Sequence, residues 1–83
     1  LVEVVRGGSA GGQEEAAAAL RNLANSTAAN KDAIVAAGGV GALVEVVRGG
    51  SAVGQERAAG ALRNLAHRNA TNAQAMRRLG FDP

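Results

Sequence analysis

The stretch Ala16-Ala17-Ala18-Ala19-Leu20-Arg21-Asn22-Leu23-Ala24 returns 42 residues later as Ala58-Ala59-Gly60-Ala61-Leu62-Arg63-Asn64-Leu65-Ala66. Shifting the whole chain by that offset lays Leu1–Gly41 on Leu43–Pro83. In that register 25 of 41 paired positions are identical, and Leu1–Ala10 matches Leu43–Ala52 without a difference. A fixed period of roughly 20–50 residues marks a stacked-repeat architecture, in which a single unit cannot bury its apolar face alone. The chain therefore reads as one region, residues 1–83, made of two units, residues 1–42 and 43–83. No catalytic constellation accompanies the duplication, so function has to be sought on the surface that the units present.

Each unit reads as three helices: short, long and medium. Leu1–Arg6 and Gly41–Arg48 are short apolar segments, and the second lies between two helical patterns. Gly7-Gly8 and Gly49-Gly50 break the chain after them. Ser9 and Ser51 follow as N-caps. The long helices run from about Ala10 to Asn25 and from about Ala52 to His67. At about 100° per residue, Ala16, Ala19, Leu20, Leu23 and Ala24 form an apolar stripe. Glu15, Ala18, Asn22 and Asn25 form a narrower one, with Arg57, Gly60, Asn64 and His67 at the same steps of the second copy. Gly11, Gly12, Gly54 and Gly60 each cost about 1 kcal/mol relative to Ala in a helix interior. The first turn is thus expected to fray, and Gly60 to mark a close approach or an empty notch. Ser26-Thr27 and Asn69 cap the medium helices, at about Ala28–Ala37 and Ala70–Leu79. Gly38-Gly39 and Gly80 stop them.

Composition removes most other readings. Of the residues, 47% are apolar, but Ala and Gly supply much of that, and the one aromatic is Phe81. The core is accordingly thin, since a chain of this size buries only about 60% of its unfolded surface. No Cys is present, so neither a disulfide framework nor a thiolate metal site forms. No apolar run approaches the ~18 residues of a membrane span. The net charge of +2 is too small for a strong positive field. Arg68, Arg77 and Arg78 cluster near the C-terminal end, but with Phe81 as the one aromatic of the chain they offer no stacking platform for nucleic acid.

The titratable residues have equally simple roles. Glu14, Glu15 and Glu56 sit near helix starts, where they favour the dipole. His67 reads as a solvated helix-end residue, because a metal site needs several partners. No Ser/His/Asp set assembles, and no enzymatic activity, metal or cofactor is expected. Asn25-Ser26-Thr27 and Asn69-Ala70-Thr71 match the glycosylation acceptor pattern and read more simply as interhelix loops.

A three-helix unit of 42 residues carrying Ala-Leu-Arg-Asn-Leu-Ala resembles the armadillo repeat. Asn30–Val47 looks like the family's first and second helices, and Gln13–Ala24 and Gln55–Ala66 look like its third. In that register the chain runs helix 2, helix 3, helix 1, twice. Pro83 falls where the family often has a Pro between helices 1 and 2, and Gly41 replaces it in the first copy. HEAT repeats are the neighbouring alternative, but they are two-helix units and usually lack the Asn.

The resemblance implies an all-α, armadillo-like, right-handed superhelical solenoid whose third helices line a concave groove. It further implies protein or peptide binding, with Asn22 and Asn64 holding the backbone of an extended peptide. A carboxamide suits that task because it offers both donors and an acceptor. Asn25, His67, Glu15, Arg57, Arg21 and Arg63 would flank the ligand. Relatives that bind nuclear localisation signals carry a Trp four residues before the Asn; here those positions are Ala18 and Gly60, so that slot is missing. Arg21 and Arg63 resemble the catenin-like branch, whose members bind acidic partners. An intracellular location, cytoplasmic or nuclear, goes with such a scaffold.

A second reading belongs to a different class. Solenoids need polar capping repeats, and neither end has one. Leu1, Val2, Val4 and Val5 at one end, and Met76, Leu79 and Phe81 at the other, are expected to be partly exposed. Because the units are nearly identical, an end can mimic the next repeat for another molecule. Copies would then stack head-to-tail or exchange helices. Near-identity of the units favours design or recent duplication.

Overall fold

The computed structural model describes residues 1–83 as six helices and no strands. They are α1 (Val2–Gly7), α2 (Ala10–Ala24), α3 (Ala28–Ala36), α4 (Gly39–Gly49), α5 (Ala52–Ala66) and α6 (Ala70–Arg78). Two triplets of short, long and medium helices follow one another, with α2 and α5 the same length. Helix ends fall within about one residue of the expected ones, except that α4 starts at Gly39.

The local chemistry explains the boundaries. Ser9 Oγ accepts from the Gly12 amide at 3.1 Å and Ser51 Oγ from the Gly54 amide at 3.0 Å. Thr27 and Asn69 do the same for the Asn30 and Asn72 amides. Each cap satisfies one of the free amides of a first turn, worth about 1 kcal/mol. The glycine-containing first turns of α2 and α5 are accordingly helical from Ala10 and Ala52. Gly38 and Gly80 hold φ of +85° and +91°, the left-handed stop that glycine adopts without a Cβ penalty. Over each stop lies an arginine of the preceding short helix. Arg6 Nη2 donates to the Gly38 carbonyl at 3.4 Å, and Arg48 Nη2 donates to the Leu79 carbonyl. The end of each medium helix is thus tied back to the end of the short helix of its triplet.

Gly39 does not stop a helix. It is the buried first residue of α4, and Gly38 is that helix's N-cap. A Cβ at Gly39 would lie 2.5 Å from Ile34 Cγ2 and 2.7 Å from the Ile34 carbonyl oxygen. The glycine pair therefore serves a sharp α3–α4 corner, with one residue for the turn and one for the close approach.

The core is continuous across both triplets. Val5, Leu20, Leu43, Leu62, Leu65 and Met76 are its largest fully buried side chains. The most extensive helix–helix contact joins α2 to α5, followed by α4 with α5. The contact reaches past the expected stripe of α2: Ala17 is fully buried, whereas Leu23 stays open. The exposure expected at the two ends is corrected in part. Val2, Val5 and Met76 are buried within the chain, because α4 covers α1 and α6 turns its inner face onto α4 and α5. Leu1, Val4 and Leu79 are exposed, and Phe81 lies half-buried against the core.

Two nearby glycines separate steric constraint from helix propensity. Gly41→Ala adds a methyl where nothing lies within 4 Å, and is expected to stabilise the protein by about 0.5–1 kcal/mol. Gly39→Ala forces Ile34 and its backbone to shift and should cost about 1–3 kcal/mol. Urea unfolding followed by circular dichroism measures both.

Candidate protein-binding face

The candidate residues sit on α2 and α5, so the relation between those helices decides what they can do. At one end, Ser51, the N-cap of α5, donates its hydroxyl to Glu14 Oε2 in the first turns of α2 at 2.5 Å. At the other end, Asn64 Nδ2 donates to the Arg21 carbonyl at 3.0 Å. Starts therefore meet starts and ends meet ends, so the two helices run parallel, side by side, in matched register. Glu15, Asn22 and Asn25 are exposed on α2 and at its end, as is His67 at the end of α5; Arg57 and Asn64 are half-buried.

The Asn64 bond has a specific cause. The last four carbonyls of a helix lack intrahelical partners, and Arg21 belongs to the last turn of α2. Asn64 reaches across and satisfies it, sharing that oxygen with the Asn25 amide. One amide N–H and the oxygen of Asn64 remain uncommitted. Asn22, at the same step of α2, is exposed and makes no hydrogen bond from its side chain within the chain. The two asparagines are chemically identical and differently employed.

Arg21 and Gly60 form a second cross-helix lock. A Cβ at Gly60 would lie 2.6 Å from Arg21 Cδ, so the aliphatic stem of Arg21 runs over the glycine. The expected close approach is present, and the notch is filled by the protein's own arginine. Arg21 is half-buried as a result, whereas Arg63 is exposed. Neither forms an ion pair, and neither does Arg57; the pairs present are Arg48–Glu45 at 3.4 Å and Arg77–Asp82 at 3.5 Å.

Sequence reasoning missed Asn72. It is the one buried polar side chain, and its Nδ2 donates to the Leu65 carbonyl at 2.9 Å. Its counterpart Asn30, in the first turn of α3, instead donates at 2.8 Å to Ser26 Oγ in the exposed loop before that helix. The difference follows from the loop: Ser26 is replaced by Arg68, which offers no acceptor and takes φ of +53°. The replaced serine was the available signal. Beside this loop Arg63, His67 and Arg77 border a shallow cleft of about 280 Å³ with Ala66, Ala73 and Pro83. No group of three His, Asp or Glu side chains is placed to hold a metal ion, and no helix is long and apolar enough to cross a membrane.

Different employment implies different costs. Asn64→Ala is expected to destabilise the protein by about 1 kcal/mol, the net worth of one hydrogen bond. Asn72→Ala should cost about 1–3 kcal/mol, since it also strips a buried carbonyl of its partner. Asn22→Ala should stay within about 0.5 kcal/mol of the parent, as surface changes do. Thermal unfolding of the three variants checks the order.

Residues 27–67 match the family model described as the Armadillo/beta-catenin-like repeat. The matched stretch covers α3, α4 and α5. No curated protein and no solved structure matches the chain.

Proposed function

The chain belongs to the armadillo/beta-catenin-like repeat family, and from that premise we propose that it is a non-enzymatic scaffold that binds an extended peptide along α2 and α5. Armadillo repeats are generally protein-binding scaffolds. In this reading residues 1–42 and 43–83 are successive turns of a right-handed superhelical solenoid, and the parallel pair α2 and α5 forms its concave groove. The observation that carries the reading is the exposed, unpartnered Asn22 set in register beside an Asn64 that keeps a free amide hydrogen and its oxygen. Such a pair can hold two peptide units of an extended backbone. Asn25 and His67 continue the line, and Glu15 and Arg57 stand at its other end.

The charge beside the line favours an acidic ligand. Arg57, Arg63 and Arg21 are free of carboxylate partners. The position that would serve as a slot for a basic side chain is instead Gly60, already covered by Arg21. A panel of linear peptides displayed on phage, with acidic, neutral and basic members, tests the reading. Acidic peptides should be retained, and Asn22→Ala should weaken them about fivefold, the loss of one net hydrogen bond. Asn22 is the informative variant because its removal leaves the fold unburdened. Retained peptides that are indifferent to Asn22→Ala and to Arg63→Glu would overturn the groove assignment.

A second reading, association of the chain with copies of itself, is favoured by a different observation. An apolar cleft of about 370 Å³, lined by Leu1, Val2, Leu20, Leu23, Ile34 and their neighbours, opens on the side of α1 and α2 away from α5.

A further inference from the structure

We propose that one copy of the chain stacks head-to-tail on the next, repeating between molecules the interface that α5 makes with α2 inside each. The inference rests on the reading that the chain associates with itself, and adds the register, the contacts and the residue that limits it.

The two near-identical triplets act as an internal control, because the same side chain is seen with and without a neighbour. Leu43 and Leu65 are fully buried and Val46 is 3% exposed, but their counterparts Leu1, Leu23 and Val4 are 55%, 40% and 43% exposed. The second triplet rests on the first, and no element of residues 1–83 covers the first on that side. At the other end the relation inverts. Ala17 and Val5 are fully buried beneath the second triplet, whereas their counterparts Ala59 and Val47 are half-exposed. The chain therefore carries one uncovered face that needs a long helix of its own kind, and another that supplies one.

The polar groups of the two faces also match. Asn22 has a free carboxamide. The Arg63 carbonyl, counterpart of the Arg21 carbonyl that takes Asn64, takes no side-chain donor and not the amide of His67, which turns to the Asn64 carbonyl instead. Ser9 caps α2 as Ser51 caps α5, and Glu56 stands where Glu14 meets Ser51. The charges agree with this pairing. Residues 1–42 carry three basic and four acidic side chains, net −1, and residues 43–83 carry six basic and three acidic, net +3, which together give the chain's +2.

One position fits less well. Inside the chain the Arg21 stem lies over Gly60, where no methyl would fit without displacing it. Between chains Arg63 would lie over Ala18. The flexible arginine can swing aside, so the methyl weakens the contact without blocking it.

The contact joins unlike faces, so it does not close on itself and extends into chains of growing length. Sedimentation of the 83-residue protein across concentration, with circular dichroism alongside, tests this. Species beyond the dimer should grow with concentration. Ala18→Gly should tighten the association roughly threefold, a modest relief of an overpacked contact. Leu23→Lys, at an exposed position, should lower it tenfold or more while leaving helicity unchanged. Val53→Lys should have no effect. Val53 is exposed, and its counterpart Gly11 is open although the second triplet lies beside it, so that position lies off both faces. A monomer at every concentration would overturn the association and its register together. An association that stops at two copies, or ignores both Ala18→Gly and Leu23→Lys, would leave self-association standing and overturn the head-to-tail register.

Discussion

The last turn of α2 ends on carbonyls that no residue of α2 can reach, and the packing of the two triplets depends on how they are answered. Asn64 answers one of them from the adjacent helix. This fixes α5 in register with α2, since sliding by one residue would carry the carboxamide away from the oxygen. Ser51 and Glu14 pin the opposite end, and the Arg21 stem fills the space left by Gly60. The buried side chains of the two helices are mostly small, Ala16, Ala17 and Ala24 on α2 and Gly54, Ala58 and Ala61 on α5, beside Leu20, Leu62 and Leu65. Small side chains let two helices come close, but they bury little area, about 25 cal/mol per Å² of apolar surface removed from water. Where small side chains predominate, polar ties help to select one alignment among several of similar apolar burial.

The near-identity of the triplets separates what a residue is from where it sits. Leu23 and Leu65 lie in the same nonapeptide frame, yet one is open and the other fully buried. Asn22 and Asn64 share sequence neighbours, yet only one is bonded. Local propensity cannot distinguish members of these pairs. The difference comes from the neighbouring helix, which is the meaning of quasi-one-dimensional packing: each unit is stabilised by its own interior and by the faces it shares with adjacent units.

This also explains how far the fold and the face were legible in the sequence. Helix number, order and approximate ends followed from local signals: Ser and Thr before apolar runs, glycines after them, and a repeated pattern of period 42. Gly60 was recognisable as either a close approach or an empty notch, because a glycine between helix formers is costly unless something needs the space. Gly39 was misread as a stop, since sequence alone does not divide the labour of a glycine pair between a turn residue and a contact residue. Met76, Val2 and Val5 were expected to be partly exposed because neither end has a capping repeat, but burial is decided by which elements fold back over them. The role of Asn72 depended on Arg68 replacing a serine immediately before the cap, a tertiary consequence of a loop substitution that no helical wheel displays.

Asn64 is thus committed to the fold, but the commitment does not take it away from a ligand. A carboxamide has two donor hydrogens and an acceptor oxygen. The Arg21 carbonyl uses a single hydrogen, and because it lies on the neighbouring helix it also holds the side chain in one rotamer. The remaining hydrogen and oxygen are then presented without the entropy loss that a free side chain suffers on binding, about 0.5–1.5 kcal/mol for a rotamer-rich group. Asn22 lacks this tie, so its carboxamide is free to rotate and would have to be ordered by whatever it meets. If the next copy supplies the Arg63 carbonyl, that ordering comes from stacking, and Asn22 acquires the state already held by Asn64. The proposed stacking and the proposed peptide binding would then reinforce each other through one side chain, because the hydrogen used to join the units is not one that an extended backbone needs.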